Sequence, residues 1–138
     1  MSLFLDTSGL YAFMIRSEKD HANVTRAFRT AVESGRVLRT TNYIVLEMVA
    51  LLQNRIGLEP VRDLVETVLP LVEIHWVSES LHQAAMARLL RSDRRRLSLV
   101  DCVSFEFMLA QGIRDTLALD PHFADEGFRL VPSPATRR

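Results

Sequence analysis

The chain has 138 residues, 48% of them hydrophobic and 25% charged, with a mean hydropathy of +0.07. That length makes one domain, and that composition excludes a disordered chain, a collagen-like repeat and a disulfide scaffold. The 17 Lys and Arg residues balance 17 Asp and Glu residues to a formal charge of zero, which excludes polyanion binding by bulk basicity. A single cysteine, Cys102, permits neither an intrachain disulfide nor a thiolate zinc site and suits a reducing compartment. The apolar run before Asp6 is too short, and too poor in basic residues, to read as a signal peptide. No window approaches the roughly 20 apolar residues of a membrane span, so a cytoplasmic protein away from membranes is expected.

The predicted elements follow in chain order. Leu3, Phe4 and Leu5 form a strand that stops at Asp6, and Thr7-Ser8-Gly9 leads into a short apolar helix through Met14. A second helix covers about 20–34, with Val24, Ala27, Phe28, Ala31 and Val32 on one stripe and Gly35 as its stop. A strand over 37–40 precedes a helix over about 43–55 that ends at Gly57. Glu59-Pro60 opens a helix with Val61, Leu64, Val65 and Val68 inward, closed by Pro70. Residues 73–77 alternate as a strand, and Ser78 caps a helix running into Arg91-Ser92-Asp93-Arg94-Arg95-Arg96. Ser98 opens a helix ending at Gly112, 116–119 form a strand, Asp120-Pro121 starts a turn or short helix, and 129–131 form a last strand. This alternation predicts a three-layer α/β/α domain over 1–131 with a mainly parallel sheet of four to five strands, then a frayed tail over 132–138. In such a sheet the ligand site lies outside the carboxyl ends of the strands.

Four acids stand out against their surroundings. Asp6 and Asp120 each follow an apolar strand, where they serve equally well as helix N-caps or as site residues. Glu47 lies in Tyr43-Ile44-Val45-Leu46-Glu47-Met48-Val49-Ala50-Leu51-Leu52, apolar around its whole circumference, which predicts a buried helix. Asp101 sits in a similar apolar helix, with Ser98 and Ser104 three residues away on either side as a narrow polar stripe. Capping accounts for the strand-end pair but not for the helical pair. Four carboxylates brought together repel unless a cation joins them, and an all-oxygen set suits a hard divalent ion, Mg²⁺ or Mn²⁺.

Leu-Phe-Leu-Asp6-Thr-Ser8, Val45-Leu46-Glu47, Leu99-Val100-Asp101-Cys-Val-Ser104-Phe105 and Leu119-Asp120-Pro-His-Phe123 together resemble the ordered acidic motifs of PIN-domain ribonucleases, and among them the VapC-type toxins of toxin–antitoxin pairs. The resemblance runs from about residue 1 to 131. It implies a Mg²⁺-dependent endoribonuclease that leaves 5′-phosphate and 3′-hydroxyl ends, with an RNA substrate and a cognate antitoxin; the apolar faces of the helices over about 20–34 and 59–69 add the expectation of a homodimer. It implies that Asp6 and Asp101 are the primary metal ligands, that Glu47 and Asp120 hold a second ion or its waters, and that Ser8 is the small polar residue beside the first acid. Ala118 departs from the Thr or Ser that relatives carry two residues before the last acid.

Other residues read more plainly. His21, His75, His82 and His122 lack metal-ligand spacing; His122, close to Asp120, reads as a surface or helix-start residue in preference to one that touches substrate. Cys102 reads as an inert buried thiol, and Trp76 and Phe105 as core. The basic run of Arg88, Arg91, Arg94, Arg95 and Arg96 reads either as a solvated helix end or as a guide for the RNA backbone, with Arg94, Arg95 and Arg96 as the candidate contacts. Two further readings compete: a phosphohydrolase forming a phospho-aspartate on Asp6, which wants an acid where Ser8 stands, and a non-catalytic RNA- or protein-binding module.

Overall fold

A computed structural model describes residues 1–134, and the outer part of the predicted tail, 135–138, lies outside the described residues. Five strands, β1 (Ser2–Leu5), β2 (Val37–Thr41), β3 (Val72–His75), β4 (Asp115–Leu117) and β5 (Arg129–Val131), form one sheet in the order β3-β2-β1-β4-β5. Every pairing is parallel. The helices between them are α1 (Thr7–Met14), α2 (His21–Glu33), α3 (Asn42–Arg55), α4 (Leu58–Asp63), α5 (Glu79–Ser92), α6 (Leu99–Gln111) and α7 (Pro121–Asp125). Among the described residues no helix is long and apolar enough to cross a membrane.

The central strand is deeply buried, with Leu3, Phe4 and Leu5 fully enclosed, as expected for a parallel strand covered on both faces. Beneath the carboxyl end of the sheet, an aromatic cluster ties α6 and α7 to β1. Phe105 meets Phe123 edge-on with ring centroids 5.0 Å apart, and Phe4 lies 5.9 Å from Phe107 and 6.4 Å from Phe123. Each such pair adds about 0.5–1.5 kcal/mol beyond area burial. The residues just above these rings inherit their rigidity.

Three sequence expectations change. The helix over 43–55 forms as α3 but is not buried all round: Ile44, Met48 and Leu52 face the core while Leu46 is 70% exposed. Only the i, i+4, i+8 row meets the sheet, so uniform apolarity there does not mean uniform burial. Trp76 is not core but 71% exposed, because β3 ends at His75 and Trp76 lies just beyond the edge strand. The helix expected up to Pro70 is regular only through α4, then widens into a π turn (Leu64–Val68) and tightens into a 3-10 turn (Leu69–Leu71). Pro70 offers no N–H to the preceding turn, so a regular ladder cannot continue through it.

Candidate active site

The sheet order reverses at β1: the chain crosses from β1 to β2 on one side, while β4 pairs on the other side. Such a switch point leaves a crevice beyond the carboxyl ends of the two diverging strands. Asp6 follows β1 directly, and Asp120 lies three residues after β4.

Asp6 is locked in place by its own helix start. Its carboxylate accepts from Ser8 N at 3.2 Å and from Ser8 Oγ at 2.6 Å, so it does cap α1. Ser8 Oγ in turn accepts from Leu119 N at 2.9 Å, which joins the end of β1 to the end of β4. Gly9 makes this closeness achievable, since a Cβ there would stand 2.1 Å from the carbonyl oxygen of Leu117. Asp6 N also donates to that carbonyl at 3.1 Å.

Asp101 occupies the first turn of α6, where Ser98 Oγ accepts from Asp101 N at 3.0 Å and Ser98 N donates to the Asp101 carboxylate at 3.3 Å. This capping box holds the carboxylate at the positive end of the helix dipole. The stripe partner Ser104 donates instead to Val100 O at 3.1 Å and takes no part in the site. Asp120 caps α7, accepting from His122 N at 2.9 Å. Ring atom Nδ1 of His122 lies 3.2 Å from Asp120 and 3.5 Å from Asp101, yet is buried with no hydrogen-bond partner. One donor atom from each of Asp101, Asp120 and His122 falls within 4.8 Å of the others. The surface or helix-start role expected of His122 is therefore incomplete, because its ring faces both acids.

Glu47 reaches the same end of the sheet from α3 and accepts a short hydrogen bond from Thr7 Oγ1, the residue after Asp6. It is half-buried, not enclosed as its apolar neighbours suggest. Asp6 and Glu47 lie outside the tight Asp101–Asp120–His122 group.

Burial dominates the electrostatics. It pushes the Asp6 carboxyl up to about 7 against the lowering effect of Ser8, with Asp101 and Asp120 adding to the rise. Burial also raises Asp101, reinforced by Asp120 and opposed by the Ser98 bonds and by His122. Carboxylates held so close and facing an unpartnered imidazole nitrogen fit a divalent cation, whose charge would oppose the rise that burial imposes on Asp6 and Asp101. Oxygen donors dominate the set, as Mg²⁺ or Mn²⁺ requires.

The basic run divides. Arg88 is an internal clamp, donating from Nε to Glu106 at 2.6 Å and from Nη1 to Glu126 at 2.9 Å, and so ties α5 to α6 and to the residue after α7. Arg94 reaches Asp125 at 3.5 Å, while Arg91, Arg95 and Arg96 are exposed. Cys102 is fully buried and its thiol is pushed up to about 11 by that burial, as an inert thiol should be.

The family model of the PIN domain matches residues 3–128. The chain belongs to the PIN-domain family. Among curated proteins, this PIN domain is 29% identical over 127 residues to the 23S rRNA-specific endonuclease VapC20 of Mycobacterium tuberculosis, from strains CDC 1551 / Oshkosh and ATCC 25618 / H37Rv alike. The match covers 91% of this chain and 95% of VapC20. Among solved structures, the crystal structure of M. tuberculosis VapC20, titled a sarcin-ricin loop cleaving toxin, aligns with a TM-score of 0.77 and 29% identity, over 92% of this chain and 96% of that one. This chain is thus a nuclease of the VapC kind, with the all-parallel five-stranded sheet of that fold. Of two further residues beside the acids, sequence reading misses Thr7 and undervalues His122. Thr7 looks like part of a helix start, and His122 has no partner at ligand spacing; only the turn after Asp120 folds its ring back over the acids.

Proposed function

We propose that this PIN domain is the toxin of a toxin–antitoxin pair and a Mg²⁺-dependent endoribonuclease, with Asp6, Asp101, Asp120 and Glu47 as its catalytic acids. The observation that carries this reading is the convergence of Asp6, Asp101 and Asp120 at the switch point, close enough that each of the latter two raises Asp6. A divalent cation bound there supplies charge neutralisation at the scissile phosphate and a water of lowered pKa.

The chain's own residues do the rest. Asp101 and Asp120 hold the centre of the site through rigid caps, and Ser8 fixes the Asp6 carboxylate against β4. Glu47, half-buried and oriented by Thr7, is placed to accept the proton of the attacking water. His122 lies beside Asp120 at the rim, where its ring can donate to a phosphate oxygen or to the leaving 3′-oxygen. The phospho-aspartate alternative loses its support, since Ser8 stands where the second acid is needed and its hydroxyl is committed to Asp6 and Leu119.

The relatives named for cutting 23S rRNA make ribosomal RNA the first substrate to try, and the same proposal takes an antitoxin protein as inhibitor and a homodimer as the working form. Exposed Leu46 on α3, beside Glu47, and Leu90 on α5 supply apolar surface for those contacts. The deciding experiment incubates the full chain with ribosomes or total RNA under Mg²⁺, under EDTA, and with Asp6→Asn or Asp101→Asn. Discrete cleavage that disappears under EDTA and in both variants is expected. Cleavage that survives all three would overturn the reading.

A further inference from the structure

The opposite end of the sheet, away from the acids, carries a second cluster of charge. Beyond the amino ends of β1, β4 and β5 lies a cavity of about 630 Å³ whose charged lining residues are Arg36, Arg114, Arg129 and Asp115. Asp115 is buried and accepts from Arg36 Nη2 at 2.8 Å and from Arg129 Nε at 2.9 Å. Arg36 Nη2 also donates to Ser2 O at 2.9 Å, but Arg36 Nε is buried with no hydrogen-bond partner. Arg114 is exposed on the same wall. The lining side chains thus set one carboxylate against three guanidinium groups, of which Arg36 and Arg129 pair with it, and carry a net charge of two positive.

We propose that this cavity is a non-catalytic site for a small phosphorylated anion of the pyrophosphate or nucleoside diphosphate class. Guanidinium forks match phosphate oxygens two at a time, and an excess of two positive charges calls for a ligand carrying at least two negative ones. The volume falls within the range of small-molecule sites, roughly 300–1,000 Å³. An RNA strand engaged at the acids would have to pass around the covered sheet to reach the cavity, which favours a separate small ligand.

The test is calorimetric titration of the full chain with sodium pyrophosphate and with ADP, at fixed ionic strength and with EDTA to keep metal off the acids. One-site binding is expected, weakened at least tenfold by Arg114→Glu and unchanged by Asp101→Asn. Arg95→Glu, the same charge change elsewhere on the surface, is expected to leave binding within about twofold. Circular dichroism verifies that the variants fold; Arg114 is exposed and outside the Asp115 ion pairs. Absence of binding at millimolar pyrophosphate and ADP would overturn the proposal and leave the arginines as partners of Asp115 and of the helix ends. So would equal weakening by Arg95→Glu, or loss of binding in Asp101→Asn. Binding of a non-cleavable oligonucleotide that Arg114→Glu abolishes, without pyrophosphate binding, would overturn it in favour of an RNA contact.

Discussion

Asp6 links the site's chemistry to the stability of the metal-free chain. Its proton leaves the unfolded chain near the ordinary value of 3.8 and the folded chain at about 7. This group's favourable contribution is therefore full below pH 3.8 and declines as pH rises to about 7. At one unit per 1.36 kcal/mol the decline is about 4 kcal/mol at most. In EDTA, Asp6→Asn should raise the urea midpoint at pH 8 and leave the difference small at pH 4, while abolishing cleavage. Arg88 and its neighbours invite a second comparison. Arg88→Met should cost about 2–3 kcal/mol in denaturant unfolding, because it leaves Glu106 and Glu126 without their partner. Arg95→Gln with Arg96→Gln should cost almost no stability. The pair should still flatten the salt dependence of RNA binding, by about 0.7 in log–log slope for each phosphate the arginines no longer neutralise.

The contact between α1 and β4 is the element-scale feature that closes the site. Gly9→Ala forces a methyl group against the Leu117 carbonyl and must push α1 outward, carrying Asp6 and Ser8 with it. A loss of about 2 kcal/mol or more in denaturant unfolding is expected, with a fall in cleavage activity larger than partial unfolding explains. Elements with strong local signals were legible in the chain: apolar Leu3–Leu5, the Ser98 cap and the Asp120-Pro121 start all form where expected. Strand ends were less legible, because β3 stops at His75 and β4 at Leu117, and where a parallel strand stops is set by its neighbours in the sheet and not by its own residues. Asp101 stood out as an acid in an apolar helix and is buried, whereas the same reasoning misjudged Glu47, which is half-buried. The His122 ring was not legible, since its direction is set by a three-dimensional turn and not by spacing. The division of the arginines was equally hidden: Arg88 and Arg95 are the same residue type in the same run, separated only by what α6 and α7 bring to them.

At the scale of the whole molecule, the acids and the arginine-lined cavity occupy opposite ends of one sheet. A cation that binds only the folded chain must stabilise it, by about 2.7 kcal/mol at roughly a hundred times its Kd. In a chain of this size that corresponds to a rise in Tm on the order of 10 °C with Mg²⁺. The rise should be absent in Asp101→Asn when both are followed by scanning calorimetry. It should also grow from pH 5 to pH 8, since cation binding needs Asp6 deprotonated. The sheet order also fixes when the site comes into being. Asp6 is made 114 positions ahead of its neighbour Asp120. At about 5–20 residues per second, that delay is on the order of 10 seconds. Throughout that interval the nascent chain holds a nuclease's first acid without its last. A ribosome making this protein is spared a finished cutting site for as long as that interval lasts.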